Sequence, residues 1–150
     1  MAKIQRTIST LLPPYQRDRN QWRRNILKLV MKARKKPWVD YDPEDRFEVV
    51  VLLYLKKGKR HTIHDVDNRL KDILDALQGR FGGPKSVRGK FRLIHNDRQV
   101  SRVVIEKQVI PKSLGDGAGG RLLIRPYEPR RWPLQRFKGD QFRKPRKVRA

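Results

Sequence analysis

Cysteine is absent from all 150 residues, which excludes disulfides, thiolate metal sites and a thiol nucleophile together and fits a reducing compartment such as the cytoplasm. Long apolar runs are absent as well. No window approaches the roughly 18 uninterrupted apolar residues that would span a bilayer, and the start MAKIQRTISTLLPP lacks the apolar segment of a signal peptide. Neither secretion nor a membrane partner is expected. Acidic residues are scarce: 15 Asp and Glu stand against 38 Lys and Arg, a net charge of +23. Charge of one sign at that density repels itself, so a polyanion is the expected partner, and nucleic-acid phosphate is the commonest one. With 37% hydrophobic residues, the chain holds enough apolar material for one modest core, hence one domain.

Residues 20–36 read as an amphipathic helix stopped by Pro37, with Trp22, Ile26, Leu29, Val30 and Ala33 on one face. The run Phe47 to Leu55 has strand length and continuous apolarity, which predicts a central strand buried on both faces. A second helix is expected from about Asn68 to Gln78, with Leu70, Ile73, Leu74 and Leu77 inward and Gly79 as its C-terminal cap. Residues 80–92 read as a basic loop, Leu93 and Ile94 as a short strand, and 100–110 and 121–125 as two further strands. The aromatic residues Trp22, Phe47 and Tyr54 occupy core-like positions. The expected fold is α/β in the α+β sense: one small domain over residues 1–125, a mixed sheet packed with two helices, then a disordered basic tail over 126–150.

Against this basic background, residues 61–79 carry Asp65, Asp67, Asp72 and Asp75 with only Arg69 and Lys71. A carboxylate cluster on a phosphate-binding surface repels the ligand unless a divalent cation lies between, as in metal-dependent phosphodiester enzymes. Asp65 and Asp67 are spaced i, i+2, so an extended segment would point both to one face. Equally, Asp67 or Asn68 would serve as an ordinary helix cap. Lys71 lies four residues from both Asp67 and Asp75; it either forms surface ion pairs with them or stabilises charge developing on a phosphate. Asp72 and Asp75 read as structural or solvated helix positions. Asn96 and Asp97 form a turn before the strand at 100–110, and spacing alone does not bring that turn to the first cluster.

The segments D-V-D-N-R-L-K-D-I-L-D-A-L-Q-G (Asp65 to Gly79) and N-D-R-Q-V (Asn96 to Val100) together resemble the RusA family of Holliday junction resolvases, whose pattern is DxDNxxK, a helix ending DALxG, then DDxQV. The resemblance lies within residues 45–110. It implies a small α/β homodimer that nicks four-way DNA junctions symmetrically with Mg²⁺, Mn²⁺ being a possible substitute. It places the essential aspartates on Asp65, Asp67 and Asp97 as metal-holding catalytic residues, the lysine on Lys71, and supporting positions on Asn68 and Asn96. Asn96 departs from the pattern, which has Asp there; the 80–92 loop is longer than usual, and the family's N-terminal Pro-Ser-x-Asn is not recognisable.

The expected phosphate contacts are Arg23, Arg24 and Lys28 on the first helix, Arg69 on the second, and Lys85, Arg88 and Lys90 in the loop. Trp132, Phe137 and Phe142 in the tail are suited to stacking on bases. His61, His64 and His95 flank the aspartates without a zinc pattern; His64 or His95 would serve a phosphate or a proton instead. GDGAGG precedes a strand rather than a helix, and GPKSVRGK has the wrong P-loop spacing, so no nucleotide cofactor is expected. The competing expectation is a non-catalytic nucleic-acid-binding protein, or a junction binder that has lost cleavage. The preferred one is a cytoplasmic, nucleoid-associated endodeoxyribonuclease of recombination and repair.

Overall fold

In the computed structural model, which describes residues 6–56, 65–82, 92–110 and 118–129, the apolar run FEVVVLLYLK forms the strand around which the rest assembles. The elements in chain order are β1 (Ile8–Leu12), α1 (Arg19–Lys32), β2 (Phe47–Lys56), α2 (Val66–Leu77), a short 3₁₀ turn (Asp97–Gln99), β3 (Val100–Ile110) and β4 (Gly120–Pro126). The strands make one mixed sheet in the order β1-β4-β2-β3. β2 runs parallel to β3 and antiparallel to β4, and β4 antiparallel to β1. Both helices follow parallel-pointing strands, and the result is the small α+β domain expected from the sequence.

Along β2 burial alternates. Phe47, Val49, Val51, Leu53 and Leu55 face the core with Trp22, Ile26, Val30, Ile73 and Leu77 of the helices. Val50, Leu52 and Tyr54 point the other way and are only half buried. The expectation of burial on both faces is therefore corrected, as is the core placement of Tyr54: β2 is central within the sheet, but the helices cover one face of it. Glu48 on the open face is buried by its neighbours, with Arg102 at 3.2 Å and Arg125 at 2.6 Å. The hydrogen bond to Glu48 holds the Arg125 guanidinium above its ordinary pKa.

α1 starts where Asp18 accepts a bond from the Gln21 amide at 3.1 Å. It ends at Lys32, four residues before the expected stop. Pro37 already disfavours helical backbone at Lys36, and Arg34 turns its Nε back to the Met31 carbonyl at 2.9 Å, satisfying a terminal acceptor of the helix. Leu27 rather than Leu29 completes the buried stripe. α2 begins at Val66, two residues earlier than expected. Leu93 and Ile94 form no strand; their amides both bond to the Leu77 carbonyl, at 2.9 and 3.1 Å, pinning the chain to the C-terminal end of α2.

β1 is an element the sequence analysis missed. β4 is longer than expected, and the Tyr127 amide still bonds to the Arg46 carbonyl at 2.8 Å, so described structure passes the 125/126 boundary. Residues 130–150, with Trp132, Phe137 and Phe142, lie outside the described residues, as do His61, His64, Lys85, Arg88 and Lys90. Among the described residues no helix is long and apolar enough to cross a membrane.

One glycine is required by a close approach. A Cβ on Gly120 would lie 1.9 Å from the Leu52 carbonyl oxygen, and its φ of +153° is one that other residues rarely adopt. Gly120→Ala must part β4 from β2, so we expect a loss of more than about 2 kcal/mol, read as a lower urea midpoint. An unchanged midpoint would show that the strands separate there without cost.

Candidate active site and nucleic-acid interface

The N-terminus of α2 carries the first carboxylate pair. Asp65 is the N-cap: its Oδ1 accepts from the Asp67 amide and its Oδ2 from the Asn68 side chain, both at 3.1 Å. The cap is thus Asp65, not Asp67 or Asn68, and Asp67 sits in the first helical turn rather than in an extended segment. No extended i, i+2 segment presents the two side chains. What places both carboxylates at one end of the helix is the cap itself, and both are exposed there. The helix dipole favours negative charge at this end. Among the described residues, the Asp67 carboxylate has no hydrogen-bond or ion-pair partner.

Lys71 is exposed one turn further on, in the i+4 position that shares a face with Asp67. It makes no ion pair within the described residues. Asp75 pairs instead with Arg23 at 3.3 Å, so the two expected lysine pairs do not form.

Asp97 opens the 3₁₀ turn before β3. Asn96 caps that turn, accepting from the Arg98 amide at 2.9 Å, so the position that departs from the family pattern has a structural use. Gln99, not singled out in the sequence analysis, locks the turn: its Oε1 accepts from the His95 and Asn96 amides, and its Nε2 donates to the Asp42 and Asp45 carbonyls. Asp97 itself is exposed.

The topology separates these carboxylates. β2 and β3 are parallel, so α2 runs back between them, and its C-terminal Leu77 is bonded to Leu93 and Ile94, just before Asp97. Asp65 and Asp67 lie at the opposite end of a helix of 12 residues, which is about 18 Å long. Among the described residues no group of three His, Cys, Asp or Glu side chains is placed to hold a metal. Two hard carboxylates at the start of α2 suit Mg²⁺ chemically, but within one copy the described residues bring no third acidic side chain to them.

The basic residues divide into two sets. Asp72 is 0% exposed and accepts from Arg19 at 2.9 Å, Arg23 at 2.8 Å and Arg69 at 2.8 Å, tying α1 to α2. Arg69 also stacks on Tyr15, 3.9 Å from the ring centroid. The bond to Asp72 raises the Arg19 pKa above its ordinary value. Arg23 and Arg69, expected on the phosphate-facing surface, are therefore corrected to structural partners of a buried carboxylate. Arg24 and Lys28 are exposed as expected and, with Lys32, form an i, i+4, i+8 row on the outer face of α1. A second basic feature had no signal in the sequence. Arg34, Arg92 and His95 line a cavity of about 380 Å³ with Asp40 and Tyr41, at the Asp97 end of the molecule. Burial pushes the Tyr41 hydroxyl pKa up, so it remains a donor to the Arg6 carbonyl.

Replacing Arg24, Lys28 and Lys32 together by Ala is expected to weaken binding of four-way and linear DNA alike, more than tenfold at low salt. Each lost phosphate contact removes about 0.9 from the slope of log affinity against log salt. An unchanged slope in a fluorescence-anisotropy titration would place the interface elsewhere.

No family model matches this chain, and no curated protein matches it.

Proposed function

We propose that the chain is a divalent-metal-dependent endodeoxyribonuclease selective for branched DNA, resolving four-way junctions in recombination and repair. The observation that carries this reading is the pair of exposed carboxylates at the α2 N-terminus, one turn from a Lys71 that makes no ion pair among the described residues, on a molecule of net charge +23. Asp65 also caps the helix, but a surface built only to bind phosphates gains nothing from the exposed Asp67 carboxylate. The resemblance of Asp65 to Gly79 and Asn96 to Val100 to the RusA family supports the same reading.

Because Asp97 lies at the far end of α2, gathering Asp65, Asp67 and Asp97 around one cation takes two copies of the chain. Asp65 and Asp67 come from one and Asp97 from the other, which makes the working unit a homodimer with two equivalent sites. Held by these carboxylates, Mg²⁺ or Mn²⁺ would supply the Lewis acidity for a phosphodiester hydrolysis in which water adds to phosphorus and one P–O ester bond breaks. The chain's own part is to hold the carboxylates, with Asp65 fixed by its capping bonds and Asp97 by the Asn96 and Gln99 lock. Lys71 offers its ammonium to the phosphate charge, and the Arg24, Lys28 and Lys32 row holds the backbone of an arm. Such an enzyme works on DNA in the cytoplasm, at the nucleoid.

The test is a synthetic four-way junction, end-labelled on each strand in turn, with Mg²⁺ or EDTA. Paired symmetric nicks that need Mg²⁺ and are absent from linear duplex are expected. A protein that shifts the junction in a gel yet leaves every strand intact with Mg²⁺ and Mn²⁺ would be a nucleic-acid-binding protein, with Asp65 serving only as a cap.

A further inference from the structure

The cavity at the end of α1 takes no part in the chemistry proposed above, yet it has the size and the lining of a ligand site. Its volume of about 380 Å³ falls within the roughly 300–1,000 Å³ of small-molecule pockets. Three stretches of chain meet in it: Met31 and Arg34 at the C-terminal end of α1, Asp40 and Tyr41 before β2, and Arg92, Leu93 and His95 before the 3₁₀ turn. Its walls are braced. Tyr41 is 5% exposed, donates its hydroxyl to the Arg6 carbonyl and packs edge-on against Trp38 at 5.2 Å. His95 Nε2 lies 3.3 Å from the Tyr41 carbonyl oxygen, which joins two of the stretches, and the Leu93 amide is held by α2.

The charges around the cavity favour an anion. Arg34 is fixed through Nε, and its terminal nitrogens make no hydrogen bond among the described residues; Asp40, at 3.8 Å, is a long ion-pair contact whose side chain is 90% exposed. Arg92 is exposed and makes no ion pair among the described residues. Two guanidinium groups therefore face one solvated carboxylate, and guanidinium is the side chain best matched to phosphate. The negative end of α1 would oppose an anion, but its Met31 carbonyl is already covered by the Arg34 Nε. The rest of the lining is apolar: Met31, the buried Leu93 and the Tyr41 ring. A bare phosphate gains nothing from these, whereas a phosphate ester that carries a flat ring does.

We propose that this cavity takes one unpaired nucleotide of a nucleic-acid strand, its phosphate held by Arg34 and Arg92 and its base against Met31, Leu93 and Tyr41. A base inside a duplex is stacked and paired and does not enter. A nucleotide at a bulge or at a point of strand exchange has already lost part of that stacking, so turning it out costs least there. The pocket also shares its frame with a carboxylate of the proposed active site. His95 stands two residues before Asp97, and Gln99 ties that turn to the Asp42 and Asp45 carbonyls beside Tyr41. This inference rests on nucleic acid being the substrate, as proposed above, and names what the protein reads in a branch: the interrupted stack.

Two labelled hairpins of the same stem, one with a single unpaired nucleotide at its middle and one without, are titrated with the protein in EDTA, so that strands stay intact. The bulged hairpin is expected to bind about tenfold more tightly, as the stacking of one base allows. Arg92→Ala removes one of the two cations, and Met31→Trp fills the cavity; each should abolish that preference. Arg92→Ala is at an exposed position and keeps the test decisive where Met31→Trp disturbs the packing of α1. Replacing Arg24, Lys28 and Lys32 together should instead weaken both hairpins alike and keep the preference. Equal binding of the two hairpins by the wild type, or a preference that survives Arg92→Ala and a folded Met31→Trp, overturns the proposal. Neither readout depends on cleavage: a preference without junction nicking sinks the nuclease reading alone, and nicking without the preference sinks the pocket alone.

Discussion

Asp65→Asn and Asp67→Asn are each expected to reduce junction nicking by about a thousandfold or more while leaving the fold and junction binding intact. The two substitutions are informative for different reasons. Asp67 is exposed and unpaired in the described structure, so Asn removes a charge and little else; the lost dipole interaction is about 0.3–1 kcal/mol. Asp65 has a structural task, since both of its carboxylate oxygens accept bonds at the start of α2. Asn caps helices about as well as Asp, so Asp65→Asn keeps the cap and removes the charge. A residue that only caps would give an active variant. Loss of nicking at an unchanged thermal midpoint would assign the charge to chemistry, and binding should tighten slightly as repulsion of phosphate falls.

The largest effect on stability is expected from Asp72→Ala. Three guanidinium groups converge on this carboxylate, which has no solvent exposure. Removing one partner of a buried ion network leaves the others uncompensated and costs about 3–5 kcal/mol. For a chain of this size that lowers the melting temperature by roughly 10 °C. Asp75→Ala, which removes only the longer contact to Arg23, should cost under about 1 kcal/mol. Calorimetry on the two variants separates them; equal shifts would show that the three-arginine joint does not hold α1 to α2.

Asp72 also marks where sequence reasoning stops. Periodicity placed Ile73 and Leu77 inward and gave β3 its observed bounds, because apolar spacing records which face is buried. The same reasoning sent Arg23 and Arg69 to the surface, since a charge on an amphipathic helix is usually solvated. Only the approach of two helices distant in sequence shows that Asp72 collects them. β1 was missed because five residues, Ile-Ser-Thr-Leu-Leu, are too few to display alternation before Pro13 and Pro14 interrupt. The acidic motif was legible as residues and not as geometry. Helix start, cap and the distance to Asp97 follow from where the chain turns and from the parallel course of β2 and β3.

That distance leads to the most direct measurement. Asp67→Asn and Asp97→Asn, each expected to be inactive alone, are co-expressed with different tags, and the mixed dimer is purified and given the labelled junction with Mg²⁺. If each site joins Asp65 and Asp67 of one chain to Asp97 of the other, the mixed dimer holds one intact site and one doubly damaged site. Nicking of single strands should return to about half the wild-type rate. A mixed dimer as silent as its parents, beside an active wild type, would contradict the two-copy site.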